Sequence, residues 1–162
     1  MSSPSPRIAR WKLLLLAFAI LFITVVSMMG YTLFRLVHYQ IPESYAAWTT
    51  GNLMVEYLQT HTNQWPRKWE DLQSAVNSLH EKGMPVYTPL EHLPDRVKID
   101  WQVDVGRLLE AACSNSIPMI RVVTRLDGSR LQAKWGPDTE PNAKIMRYLK
   151  MTLTTSNTAA VH

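Results

Sequence analysis

The chain has 162 residues, 46% of them hydrophobic, a formal net charge of +4 and a single cysteine. One cysteine excludes an intramolecular disulfide, and five scattered histidines beside it exclude a zinc-ligand spacing. The basic excess is local: Arg7, Arg10, Lys12 and Arg35 carry it, and the other 13 of the 17 basic residues are matched by 13 acidic ones, all after Pro42. The high pI therefore marks one end of the chain and argues against a nucleic-acid partner.

Residues 1–10 are rich in Ser, Pro and Arg and read as disordered, within an expected cytoplasmic tail over 1–12. Leu13–Phe34 then holds 22 positions without a charge. As a helix it reaches about 33 Å, enough for a hydrocarbon core of about 30 Å. Its 13 Leu, Ile, Val and Phe residues favour insertion by about 4–8 kcal/mol as an upper figure. We expect a transmembrane helix over 13–36. Basic residues crowd its N-terminal side, which places the N-terminus in the cytoplasm and the rest beyond the membrane. Trp11, Tyr31 and Tyr39 suit the two interfaces. The run is too long for a signal-peptide core, and no small-residue cleavage site follows it directly, so an uncleaved anchor is expected.

Residues 37–153 form the expected extracytoplasmic domain, large enough for a core. Pro42 suits the first turn of a helix over Glu43–His61, with Ile41, Tyr45, Trp48, Met54, Val55 and Leu58 near helical spacing. Gly51 weakens its middle unless it marks a bend or a close contact. The Asn63–Pro66 turn leads into a helix over Arg67–Leu79, opened by Glu70 and Asp71 and carrying Trp69, Leu72, Ala75, Val76 and Leu79 on one face. Trp65 and Trp69 are expected to seal it onto the preceding helix, and Gly83 to stop it.

A proline-rich connection over 83–95 follows. The run from Val97 to Asp104 then alternates, with Val97, Ile99, Trp101 and Val103 on one side, and predicts a half-buried strand. Val105–Cys113 predicts a short helix with Leu108, Leu109 and Ala112 inward and a buried Cys113. From Ile117 to Trp135, Asp127-Gly128 between two alternating stretches predicts a two-residue hairpin loop. In that register Arg125 faces Arg130, Val123 faces Gln132 and Arg121 faces Lys134. Ile120, Val122, Leu126, Leu131, Ala133 and Trp135 line the inner face. Asn142 is expected to cap a last helix over Ala143–Leu149, and 154–162 to be a disordered tail.

The expected fold class is α+β: an N-terminal transmembrane helix continued by amphipathic helices packed on a small antiparallel sheet of about three strands. Arg121, Arg125, Arg130 and Lys134 form the candidate interaction surface on its outer face. Like charges opposed across strands need acidic neighbours, for which Asp100 and Asp104 are the candidates. Phosphate loops, dinucleotide fingerprints and nucleophile elbows are missing from the sequence, so no catalytic residue, cofactor, metal or small molecule is assigned. The expected partners are the lipid bilayer and another protein. The alternative is a membrane-anchored enzyme or small-ligand-binding module.

The layout of N-terminal span, continuing helix and small sheet resembles type IV pilins and type II secretion pseudopilins, without their prepilin cleavage motif. Trp65–Leu72 (WPRKWEDL) also looks like a Trp-Pro-x-x-Trp-Glu-Asp-Leu segment of uncharacterised single-pass bacterial membrane proteins. The first implies an envelope or secretion-type assembly component and the second implies no activity; the expected location is a bacterial cell membrane, the inner one in a Gram-negative cell. Neither implies a site residue.

Overall fold

A computed structural model describes residues 6–114, 120–131 and 139–159. It divides into two units, Met1–Ile41 and Pro42–His162.

The first unit is helical. α1 runs from Pro6 to Arg35 and passes into a π-helical turn at Leu36–Gln40, which the Ile41 amide closes on Leu36 O. Pro42 explains the wide turn. It has no N–H to give His38 O, and its ring crowds that carbonyl; the chain widens here instead of breaking. The next helix, α2, spans Ile41–Thr60 and has Pro42 in its first turn, as expected.

The second unit holds α2, α3 (Gln73–Glu81), β1 (Val97–Ile99), α4 (Val105–Cys113), β2 (Val123–Arg125) and α5 (Pro141–Ala159). α2 buries eleven of its residues. Leu53, Met54 and Leu58 are fully buried, and so are the small residues Ala46, Thr50 and Gly51. Tyr45, Trp48 and Val55, the larger members of the expected stripe, are only half-buried. The small face is what lets α5 approach: a Cβ on Gly51 would sit 3.0 Å from Pro141 Cα. Close contact, not a bend, is the reason for that glycine.

α2 ends on an unusual turn. Thr62 and Asn63 have φ of 52° and 60°, and Asn63 N–H donates to Leu58 O at 2.9 Å. A β-branched residue pays a steric penalty there. Tyr148 on α5 braces the turn by donating its hydroxyl to Asn63 Oδ1 at 3.1 Å.

The Arg67–Leu79 expectation divides into a 3₁₀ turn at Trp69–Leu72 and α3. Asp71 ties down the start by accepting from Arg67 N–H at 2.8 Å. Leu72, Ala75, Val76 and Leu79 are buried as expected. Gly83, at φ 67°, stops α3: its amide donates to His80 O and that of Met84 to Leu79 O. Trp65 and Trp69 pack against the core cluster that includes α2 residues, and they also meet the segment after β1. Trp65 Nε1–H donates to Asp100 O at 2.9 Å, and Trp69 meets Trp101 edge-on at 5.2 Å.

A buried carboxylate joins α2 to α3. Glu56 is 3% exposed and accepts from Lys82 Nζ at 2.6 and 2.7 Å and from Ser78 Oγ at 2.6 Å. Burial pushes its pKa up, but the bonds from Lys82 and Ser78 and the Lys82 charge outweigh that and hold it below the ordinary value.

Strand β1 is shorter than its alternation. Burial alternates as far as Val103, yet the strand ends at Ile99: Asp100 N–H makes a last bond to Val122 O at 2.8 Å and the Asp100 carboxylate folds onto Gln102 N–H. Asp104 caps α4 through Gly106 N–H at 2.8 Å, and α4 keeps its expected bounds, with Leu108 and Ala111 buried. Cys113 is exposed at its end, not buried. α5 continues to Ala159, through residues whose composition reads as a loose tail.

Among the described residues the sheet has two strands, antiparallel, with Val97 opposite Arg125 and Ile99 opposite Val123. Most of the expected third strand, 132–135, lies outside the described residues, but the edge of β2 that it would join is already occupied. The free edge of β2 at Val123 is taken by a side chain: Asn142 Oδ1 accepts from Val122 and Val123 N–H, both at 2.8 Å, and Asn142 Nδ2 donates to Val123 O at 2.9 Å. One carboxamide stands where a neighbouring strand's peptide would bind. The remaining Asn142 proton goes to Glu140 Oε1 at 2.8 Å. Glu140, 2% exposed, is the real cap of α5. Its backbone carbonyl accepts from Lys144 N–H and its carboxylate from Ala143 N–H, with Pro141 as the first helical residue.

Candidate functional site

Two features stand outside the core. The first is α1. Every residue from Trp11 to Arg35 is exposed, including Phe18, Phe22, Ile23 and Phe34. Among the described residues it supplies the one helix long and apolar enough to cross a membrane, and its apolar window is 0% buried. Its polar side chains are satisfied within the helix: Thr24 donates to Ile20 O at 2.9 Å and Thr32 to Met28 O at 2.8 Å. Phe34 packs on His38 and Tyr39, with ring centroids at 4.4 and 6.4 Å, so aromatic rings gather where the apolar run ends.

The second is the hairpin. Its turn differs from the expected one by one residue. Gly128 N–H donates to Arg125 O and Arg125 N–H to Ser129 O, so the loop is Leu126-Asp127-Gly128, with Gly128 at φ 78°. This is a three-residue loop closed by a bulge. Arg125 therefore faces Ser129, not Arg130. Asp127 stabilises the turn by accepting from Ser129 N–H at 2.8 Å, and hydrogen bonds from Ser129, helped by the Arg125 charge, hold its carboxyl below the usual range.

Side chains alternate along a strand, so pairing with β1 sets the side taken by the cation of β2. Arg125 shares its side of the sheet with buried Val97, Ile99 and Val123, and its Nε meets Glu43 Oε1 of α2 at 3.1 Å. Arg121 and Arg130 are exposed. Lys134 lies outside the described residues, as do Gln132, Ala133 and Trp135. Leu131 is buried as expected, while Leu126, assigned inward, is 56% exposed at the loop tip. Val122 and Val123 are both buried, against the expected alternation, since Asn142 holds their two amides on one oxygen. Asp100 and Asp104 do not neutralise the arginines; both are engaged in local turns.

The arrangement gathers a different group. Lys98, Asp100, Gln102, Arg121 and Thr124 line an open groove of about 520 Å³ floored by Ile99, Val122 and Trp101. Lys98, a residue outside the expected surface, stands opposite Thr124. Its signal was available: the alternation of β1 points it outward. The groove offers two cations and one carboxylate, a set that suits a polar or acidic surface. Among the described residues no group of three His, Cys, Asp or Glu side chains could hold a metal ion.

The chain matches no family model, no curated protein and no solved structure.

Proposed function

We propose that the protein is a single-pass membrane protein of the cell envelope. Its N-terminus lies in the cytoplasm, and its α+β domain lies on the other side and works by contact with another protein. The observation that carries this reading is the exposure of α1 along its whole uncharged length. In water such a surface is unfavourable by about 25 cal/mol for each Å² of apolar area, and a bilayer removes that cost. Direction follows from Arg7, Arg10 and Lys12 on one side of the run.

Contact is favoured over catalysis by the shape and lining of the sheet groove. It is open, and Lys98 and Arg121 extend from an exposed face. An acidic protein surface is the partner that fits them, with Arg130 nearby in sequence. The groove volume falls within the range of small-ligand sites, which is what favours an anchored ligand-binding module as the second reading.

Protease treatment of spheroplasts tests the topology. Digestion of the C-terminal domain with survival of an N-terminal tag is the expected result; protection of the domain refutes it. Capture of an envelope protein by the wild type and its loss in Arg121→Glu would support the contact reading. Unchanged capture by that variant would count against the groove.

A further inference from the structure

We infer that the end of the second unit where the chain enters it carries an aromatic patch that rests in the headgroup region of the bilayer. The inference depends on the membrane reading above.

The connection after α3 carries no charge from Gly83 to Leu90. It does not hang free. The Tyr87 ring lies 5.2 Å from that of Tyr45 and 4.9 Å from that of Trp48, both near the start of α2, and Thr88 N–H donates to Thr49 Oγ1 at 3.3 Å. Held this way, the connection turns Met84 and Tyr87 outward, 43% and 44% exposed. Tyr45 and Trp48 are half-buried behind them. The result is an ordered patch of large rings, uncharged along the connection.

Its occupant follows from residue type and from the tether. Tyrosine and tryptophan concentrate at membrane–water interfaces, where one part of the ring is apolar and one atom is wet. The patch starts at Tyr45, only 11 residues after the apolar run ends at Phe34, so the tether to the bilayer is short. The patch is thus never far from the headgroups, and seating there needs no second molecule. The basic hairpin uses a different chemistry, so salt separates the two surfaces.

The test uses the full-length chain in phosphatidylcholine vesicles containing a lipid with a nitroxide at headgroup depth. A fluorophore is placed at Met84→Cys in a Cys113→Ser background, and at the native exposed Cys113 as reference. Pro85→Cys gives a second position in case the first label disturbs packing. Quenching at 84 and 85 should exceed that at 113 by about twofold or more, as expected for rings seated at the interface. It should persist in high salt and fall to the reference value with Tyr87→Ser. Equal quenching at all three positions, or loss of the difference in salt, overturns the patch. Flotation of the same vesicles reports separately on the anchor: a chain that does not float refutes the membrane reading. A chain that floats with equal quenching refutes only this inference.

Discussion

From Trp11 to Arg35, α1 leaves every residue exposed, although it is the most apolar stretch of the chain. α2, which holds Ser44, Thr49, Thr50, Gly51 and Glu56 among its buried residues, is the best-covered helix of the second unit. The contrast separates two meanings of a hydrophobic helix. α1 is apolar on all sides, so no single protein face satisfies it and it calls for an apolar solvent. α2 is buried because neighbours approach its small and polar positions, and each position had to be made acceptable individually. Glu56 is acceptable through Lys82 and Ser78, and Gly51 through the space it leaves for Pro141.

The strongest way to break this contrast is at the join between α5 and the sheet. Asn142→Leu would leave the Val122 and Val123 amides and the Val123 carbonyl buried without partners. At about 1–3 kcal/mol for each lost partner, only partly recovered by relaxation, we expect a loss of about 3–5 kcal/mol. Thermal melts in detergent micelles measure it. A loss below about 1 kcal/mol would mean that another group completes the β2 edge.

On the α1 side, Ile23→Arg should cost about 2.5–3.5 kcal/mol of insertion. Carbonate extraction should release part of that variant. Complete retention in the pellet would weaken the case that this run alone holds the chain in a membrane.

Lys82→Met sharpens the account of α2. The Glu56 pKa is held below the ordinary 4.5. Its contribution is therefore full above that value and is lost as pH falls through the lower folded pKa. Lys82 is 45% exposed, so water softens its loss; we expect about 1–2 kcal/mol at neutral pH. The deficit should shrink in acid, where the carboxyl is neutral in both proteins. A deficit independent of pH would contradict this role for Glu56.

Smaller effects follow at two α2 positions. Gly51→Ala gains helix propensity but pushes a methyl against Pro141 backbone, for a net loss of about 1 kcal/mol. Thr50 is fully buried, and its hydroxyl is the one buried side-chain polar atom without a partner among the described residues. Thr50→Val should thus be neutral or stabilising by up to about 1 kcal/mol. Clear destabilisation would point to a bond made by that hydroxyl in solution.

Local chemistry fixed several features of the fold. The bounds of α4, the stop at Gly83, the inward face of α3 and the position of the hairpin turn all follow from residues within a few positions of each other. The candidate surface was less readable. Its outline depended on whether the loop held two residues or three. Nothing between Arg125 and Ser129 excludes either choice, and Arg125 is turned towards Glu43 by its pairing with Val97, which residues near it in sequence do not reveal. Asn142 was misread for a related reason: beside Pro141, Asn is a good helix cap, and its true partner lies 19 residues away in sequence.

What the sequence determined by itself was the uncharged length of Leu13–Phe34 and the charge imbalance beside it, because solvent preference is a sum over residues and needs no knowledge of neighbours. Tertiary structure alone decided the number of strands, the face given to each arginine and the reason for Gly51. Those depend on which distant groups arrive to fill a hydrogen bond or a gap, and that competition is settled only when the whole second unit packs.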